Sequence, residues 1–498
     1  MTEQKDSYRQ IMKATSLFGG VQVFQILISV IRSKFVAILL GPAGMGIVGL
    51  LASTTGLIAG LTGFGLGTSG VKNVTEAYSS GNKERIDTVV SVVRRLVWLT
   101  GLLGAMLTLV FSPWLSEFAF GNKEYTLAFV WLSITLLFAQ LNIGEMVVLQ
   151  GMRKLQYLAK ANIYGSLSGL VVAIPLYYKL GIRGIVPVII ITAFMTFFFS
   201  RYFARKVKTE KVKLSLSATI TEGKSMMVMG FMISMSAMII LFVDYLLRIF
   251  INHIGHVEDV GFYNAGFAII NTYVGMVFTA MGTDYYPRLS VVADNNQQCK
   301  DNINQQAEIA LLILAPILII FLIFVNWAVV LLYSKQFLVI TDMLHWAALG
   351  IFFKAVSWSI AFVFLAKGEG KLYFWSEFAS SMYTLIFNML GYYLGGLTGL
   401  GVSFLLSFTV YLIQVFVIAR TRYHFSFYSS FITIFLVQFT LALLTFALVN
   451  LVEQPYSYFW GIVLIAISGW YSYRELDRRI GVKEIIQSVI QKIKKRHH

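Results

Sequence analysis

A chain of 498 residues that is 57% hydrophobic and 13% charged, with a mean hydropathy of +0.73, carries more apolar surface than a water-soluble core can hide. It reads as a polytopic membrane protein, which excludes the soluble enzyme and nucleic-acid-binding classes that a net charge of +16 would otherwise suggest. One cysteine excludes an internal disulfide.

In chain order, windows of about 19 or more apolar residues fall near 15–40, 43–68, 89–111, 125–149, 161–178, 184–203, 225–251, 261–283, 304–330, 343–366, 374–394, 400–419, 429–450 and 457–473. They predict about 14 transmembrane helices. The first, from about Thr15 to Leu40, lacks the short core and small-residue cleavage site of a signal peptide and is read as a retained span. The outward loops are short, the longest being roughly Ser112–Glu124. Arg201 through Lys224 forms the largest basic cluster, between the sixth and seventh spans, and reads as a linker between two lobes. Cys299 falls in a polar loop with Asn295, Gln297 and Lys300. After Arg474, Ile485, Ile486, Val489, Ile490 and Ile493 recur at helical spacing in a basic tail, the pattern of an amphipathic helix on anionic lipid.

An even number of spans puts both termini on one side. Of the 40 Lys and Arg, 32 fall in the two tails and in the loops after even-numbered spans, counting with those loops Arg94, Arg95 and Arg201 at the adjoining span ends, whereas the opposite loops hold only Lys123, Lys179, Arg183 and Lys335. The positive-inside rule therefore predicts cytoplasmic termini.

Glycines repeat between the halves. Gly41, Gly46 and Gly67-Thr68 match Gly255, Gly261 and Gly282-Thr283, and Lys154-Leu155 with Gly184 matches Lys371-Leu372 with Gly401. The chain is expected to be one transmembrane unit built twice, an arrangement suited to alternating access.

Four cations remain inside predicted spans: Arg32, Lys34, Arg248 and Lys354. Each costs at least about 2.5–3.5 kcal/mol at a helix centre, which makes it a functional candidate. Lys34 and Arg248 lie seven residues before the matched Gly41 and Gly255. Lys354 lies near the middle of its span, too deep for its stem to reach the surface. Asp244 and Glu145 are the clear intramembrane acids, candidates for ion coupling or for ion pairing, and Asp244 stands one turn before Arg248. The excess of cations suits an anionic ligand. Gln22, Gln25, Asn264 and Asn271 would suit sugar hydroxyls or interhelical hydrogen bonds.

Other motifs carry no chemistry. Gly44, Gly46 and Gly49 satisfy GxGxxG without a preceding strand, and Gly63, Gly65 and Gly67 read as close packing or a hinge. There is no GxxxxGK[ST], no HExxH and no Cys/His cluster, so no cofactor, no metal and no catalytic residue is expected. Histidines His253 and His256 read as plain outward loop residues, which weighs against a membrane-embedded polymerase or ligase.

The stretch RSKFVAILLGPAGMGIVGLLASTTGLIAGLTGFGLGTSGV from Arg32, with the tandem six-helix plan, resembles the polysaccharide-transport and O-antigen flippase branch of the multidrug/oligosaccharidyl-lipid/polysaccharide exporter superfamily. The resemblance implies a flippase moving undecaprenyl-diphosphate-linked oligosaccharide between leaflets of the bacterial inner membrane. It implies that Lys34 and Arg248 meet the diphosphate or an acidic sugar, with Arg32 and Lys354 as further substrate contacts. A final helix pair departs from the twelve spans of many O-antigen flippases and matches the lipid II flippases. A lipid II-type flippase and a multidrug exporter stay open as alternatives.

The expected fold is an all-α integral membrane protein. It has a six-helix lobe with linker (1–215), a second six-helix lobe (216–425), an accessory pair (426–475) and a basic tail (476–498). The expected partners are the lipid-linked oligosaccharide, membrane lipids and other polysaccharide-assembly membrane proteins. The chain is taken as a monomer by default, with no nucleic acid.

Overall fold

The computed structural model describes residues 24–210, 212–453, 455–481 and 483, and among them every regular element is helical. Helix α1 covers 24–39. It is followed by α2 (Gly41–Thr62), α3 (Leu66–Ser79), α4 (Lys83–Val110), α5 (Ser112–Phe120), α6 (Thr126–Gly151), α7 (Leu155–Leu180) and α8 (Ile185–Ala204). The later helices are α9 (Leu216–Ile254), α10 (Val257–Ala268), α11 (Gly275–Val291), α12 (Asn296–Leu332), α13 (Thr341–Ala366), α14 (Gly370–Tyr423), α15 (Ser429–Leu451) and α16 (Tyr456–Ile480). Among the described residues eight helical stretches are long and apolar enough to cross a membrane; two of these, Leu155–Ala204 and Gly370–Tyr423, each hold two of the expected spans. The chain is a multi-pass, all-α membrane protein.

Local chemistry sets the boundaries. Asn82 caps α4 by accepting from the Arg85 amide at 3.2 Å, and Ser215 caps α9 by accepting from Ala218 at 3.1 Å, which satisfies amide groups that the first turn leaves open. Proline near the start of α2 and α5 costs no hydrogen bond there. The reading of 112–124 as loop is corrected: 112–120 is helix α5. Cys299 is likewise not in a loop. It is buried in the first turns of α12, where its Sγ donates to the Val292 carbonyl at 3.2 Å. The amphipathic tail, with Ile485 to Ile493, lies outside the described residues, as does Gln22.

Two compact units divide the chain. The first runs to Asn264 and includes Leu332–Gln336; the second comprises Ala265–Leu331 and Phe337 onward. In the first, α4 and α8 both pack on α6 and α3 lies against α6. Val93, Leu96, Val148, Leu149 and Ala204 fill the middle. Packing groups all of α9 with this unit, whereas the sequence repeat starts the second lobe at 216. In the second unit α13 is buried nearly all round, with 72% of its apolar window enclosed, the highest share of the eight. That is the pattern of a central helix.

Helix association in lipid relies on close van der Waals approach, and the repeated glycines supply it. Gly46 of α2 and Gly261 of α10, which the sequence aligns as equivalents, are apposed. A Cβ on Gly46 would strike the Val257 carbonyl, and one on Gly261 the Pro42 carbonyl. Gly65 has φ +58° and lies against the Gly230 carbonyl, so the Gly63–Gly67 run makes a left-handed helix start packed on α9.

The repeat register is clearest in the backbone. Helix α6 and helix α13 are 215 residues apart at both ends (126 to 341, 151 to 366). Gly181 has φ 56°, ψ −136°, and Gly396, also 215 residues later, has φ 55°, ψ −137°. Gly184 packs on the carbonyl of residue 176 and Gly399 on that of residue 391, again the same offset. The pairing of Lys154 with Lys371 and Gly184 with Gly401 is therefore two residues out of register. Lys154 corresponds to Glu369, whose φ and ψ it shares to within one degree.

Candidate functional site

Arg248, on the last third of α9, is held in a polar cluster with its own helix and α10. Its Nη1 donates to the Asp244 carboxylate, and its Nε donates to Asn264 Oδ1 at 2.8 Å. Tyr263 donates to the other Asp244 oxygen at 3.2 Å and sets its ring 5.7 Å from the guanidinium. Asp244 and Arg248 are thus brought together as an ion pair. Asp244 is the more accessible partner, its side chain 37% exposed against 18% for Arg248. The Asn264 Nδ2 is buried without a hydrogen bond, hemmed in by Gly49 of α2.

Arg32 and Lys34 are both half-buried on α1. Two residues apart, they project about 200° from each other around the helix, so they serve different faces. The Arg32 guanidinium lies over Gly169 of α7, where a Cβ would come within 3.2 Å of Nη2. Its Nε and the Thr192 Oγ1 of α8 are buried with no hydrogen-bond partner.

Lys354 belongs to the second unit and stands at the centre of α13. Its Nζ lies 5.1 Å from the Phe408 ring, 5.7 Å from Phe404 and 5.9 Å from Phe278. Among the described residues no carboxylate or carbonyl meets it. Three ring faces offset part of the desolvation, and they are its only compensation among the described residues.

Glu145 is buried in α6 and clamped from two sides. Arg94 of α4 donates to it at 3.0 Å, and Arg201 of α8 donates to its other oxygen. Counting Arg94, Arg95 and Arg201 with the cytoplasmic loops missed that all three sit on helices. The reading of Asp244 and Glu145 as the clear intramembrane acids is also incomplete. Glu377 lies about two turns into α14 and accepts a hydrogen bond from Tyr411, and Glu308 of α12 is paired with Arg479 at 2.8 Å. Glu377 stands inside the window 374–394, where a count of acids per window finds it.

Helices of this kind, paired in two related halves with charges inside the spans, define a class. In fold the chain is similar to "Lipid II flippase MurJ, inward closed conformation", with a TM-score of 0.67 and 15% identity over 92% of this chain and 99% of that one. It is similar to an inward-facing multidrug resistance MATE family transporter of the MOP superfamily, at 0.68 and 18% over 80% and 94%. It is also similar to a MOP superfamily transporter from Pyrococcus furiosus, whose binding pocket is described as of reverse polarity, at 0.55 and 17% over 82% and 94%. The fold is that of MOP superfamily transporters, the superfamily that the opening sequence resembles. No curated protein matches the sequence. The family described as polysaccharide biosynthesis protein matches residues 35–342, and the chain belongs to that family.

Proposed function

We propose that this protein is a flippase that carries an undecaprenyl-diphosphate-linked oligosaccharide, an O-antigen or other surface-polysaccharide repeat unit, from the cytoplasmic to the outer leaflet of a bacterial inner membrane. Both termini are cytoplasmic in this reading. The observation that carries it is Lys354, a cation with no counter-ion among the described residues, at the centre of the most enclosed span, in a chain of the polysaccharide biosynthesis family. A charge that costs several kcal/mol to bury is retained where an anionic ligand completes it. Arg32, Lys34 and Arg248 are further head-group contacts, Arg248 exchanging Asp244 for the diphosphate. The lobes 1–215 and 216–425 would rock around the head group while the lipid tail stays in the bilayer. Other polysaccharide-assembly membrane proteins would hand over and receive the lipid.

A lipid II-type flippase is the nearest second reading, favoured by the extra helix pair α15 and α16. The test is transfer of radiolabelled undecaprenyl-diphosphate oligosaccharide between leaflets of proteoliposomes. Transfer by the wild type, lost in Lys354→Ala with the protein still folded, is expected. Export of small organic cations without glycolipid transfer would instead make this a drug exporter.

A further inference from the structure

Within the first unit a cavity of about 740 Å³ opens between α4, α6, α8 and the segment that joins α8 to α9. Arg94, Arg95, Arg201 and Lys213 line it, with Glu145 as the one acid, which leaves a surplus of three positive charges. The Glu145 clamp fixes two of the arginines. Arg95 is steadied by donating to the Leu214 carbonyl and to Thr219. Arg94 keeps a buried Nε–H with no partner, and Lys213 is exposed at the rim.

The rest of the wall is apolar. Trp98, Leu141 and Phe197 continue the cavity along the shaft of the helices, and Trp98 is 49% exposed. A soluble anion has no use for such a wall; an acyl chain does. The depth also fits, because the arginines lie in the fourth turn of α4 and the last turn of α8, at the basic end of the spans where headgroup phosphates lie. Nor does the fold require these charges. At the positions 215 residues later, α13 carries Ile360 in place of Glu145 and α14 carries Phe416 in place of Arg201.

We infer that this cavity is a binding site for one anionic phospholipid, its phosphate held by Arg94, Arg95 and Lys213 and its acyl chain lying along Trp98 and Phe197.

The test is native mass spectrometry of the full chain released from nanodiscs of phosphatidylglycerol and phosphatidylcholine, with inorganic phosphate as a soluble competitor. One phosphatidylglycerol is expected to stay bound, and Arg95→Gln with Lys213→Gln to weaken it about tenfold. Lys206→Gln with Lys208→Gln, an equal loss of two charges on the same segment outside the cavity, should leave retention unchanged. Equal retention of phosphatidylcholine, displacement by inorganic phosphate at concentrations that compete for a bare anion site, or the same loss in Lys206→Gln with Lys208→Gln would each overturn the proposal. Circular dichroism and thermal midpoints of the variants separate lost binding from lost folding.

Discussion

Lys354 and Glu145 show how differently two buried charges can be treated within one chain. Glu145 has two arginines and Lys354 has three phenylalanine faces. Cation–π contacts worth about 0.5–2 kcal/mol each offset the cost of burying an ammonium without adding a net gain, and no carboxylate among the described residues supplements them. Replacing Lys354 by Met keeps the length of the stem and removes the charge. The thermal midpoint of Lys354→Met should therefore equal or exceed the wild type while glycolipid transfer is lost; a clear drop in midpoint would mean that the ammonium is structural. The sequence made Lys354 legible because a lone lysine in an apolar run needs no third dimension to be noticed. It could not show the clamp on Glu145, whose arginines lie 51 and 56 residues away in sequence.

At the scale of elements, the repeated glycines were readable as a pattern but their register was not. Gly46 and Gly261 align in sequence and also meet in space, because both backbones approach too closely for any side chain. Gly46→Ala has no flexible neighbour to push aside, only the Val257 carbonyl. It should cost about 1–3 kcal/mol, read as a lower midpoint, and an unchanged midpoint would show that α2 and α10 can part freely. The later pair failed because Lys-Leu is a short match that two-residue slippage can produce, whereas Gly181 and Gly396 share a backbone shape visible only in the fold.

Helix α16 gives an element-scale prediction of another kind. Arg479 bridges Glu308 of α12 and Glu475 of its own helix, and its hydrogen bond holds the Glu475 carboxyl below the usual range. A carboxylate whose folded pKa is depressed contributes stability in full above its unfolded value of about 4.3 and loses it as pH falls through the lower folded value. The midpoint should fall on acidification below about pH 4, and more shallowly in Arg479→Gln. Parallel curves would show that the bridge contributes nothing.

At the scale of the whole molecule, composition and basic-residue placement carried the class, since lipid solvation tolerates few folds. The orientation they imply can be checked directly. Cysteines placed at Lys123 and at Lys208 should react with an impermeant maleimide from opposite faces of oriented vesicles, Lys208 from the cytoplasmic side; labelling from the same face would refute the topology. The buried Cys299 should stay silent in such an experiment. What the sequence could not supply at this scale was the grouping of α9 with the first unit, because contacts, not hydropathy, decide it.

Gly181 and Gly396 offer a last consequence. No atom lies within 4 Å of a Cβ added at either position, so room is not what restricts them. Handedness is, because positive φ combined with strongly negative ψ belongs to glycine among natural residues. A D-alanine inserted by chemical ligation should fit where L-alanine strains the chain. The kinship of the two halves is thus preserved most faithfully at two points where the polypeptide takes a mirror-image shape and no side chain is there to drift.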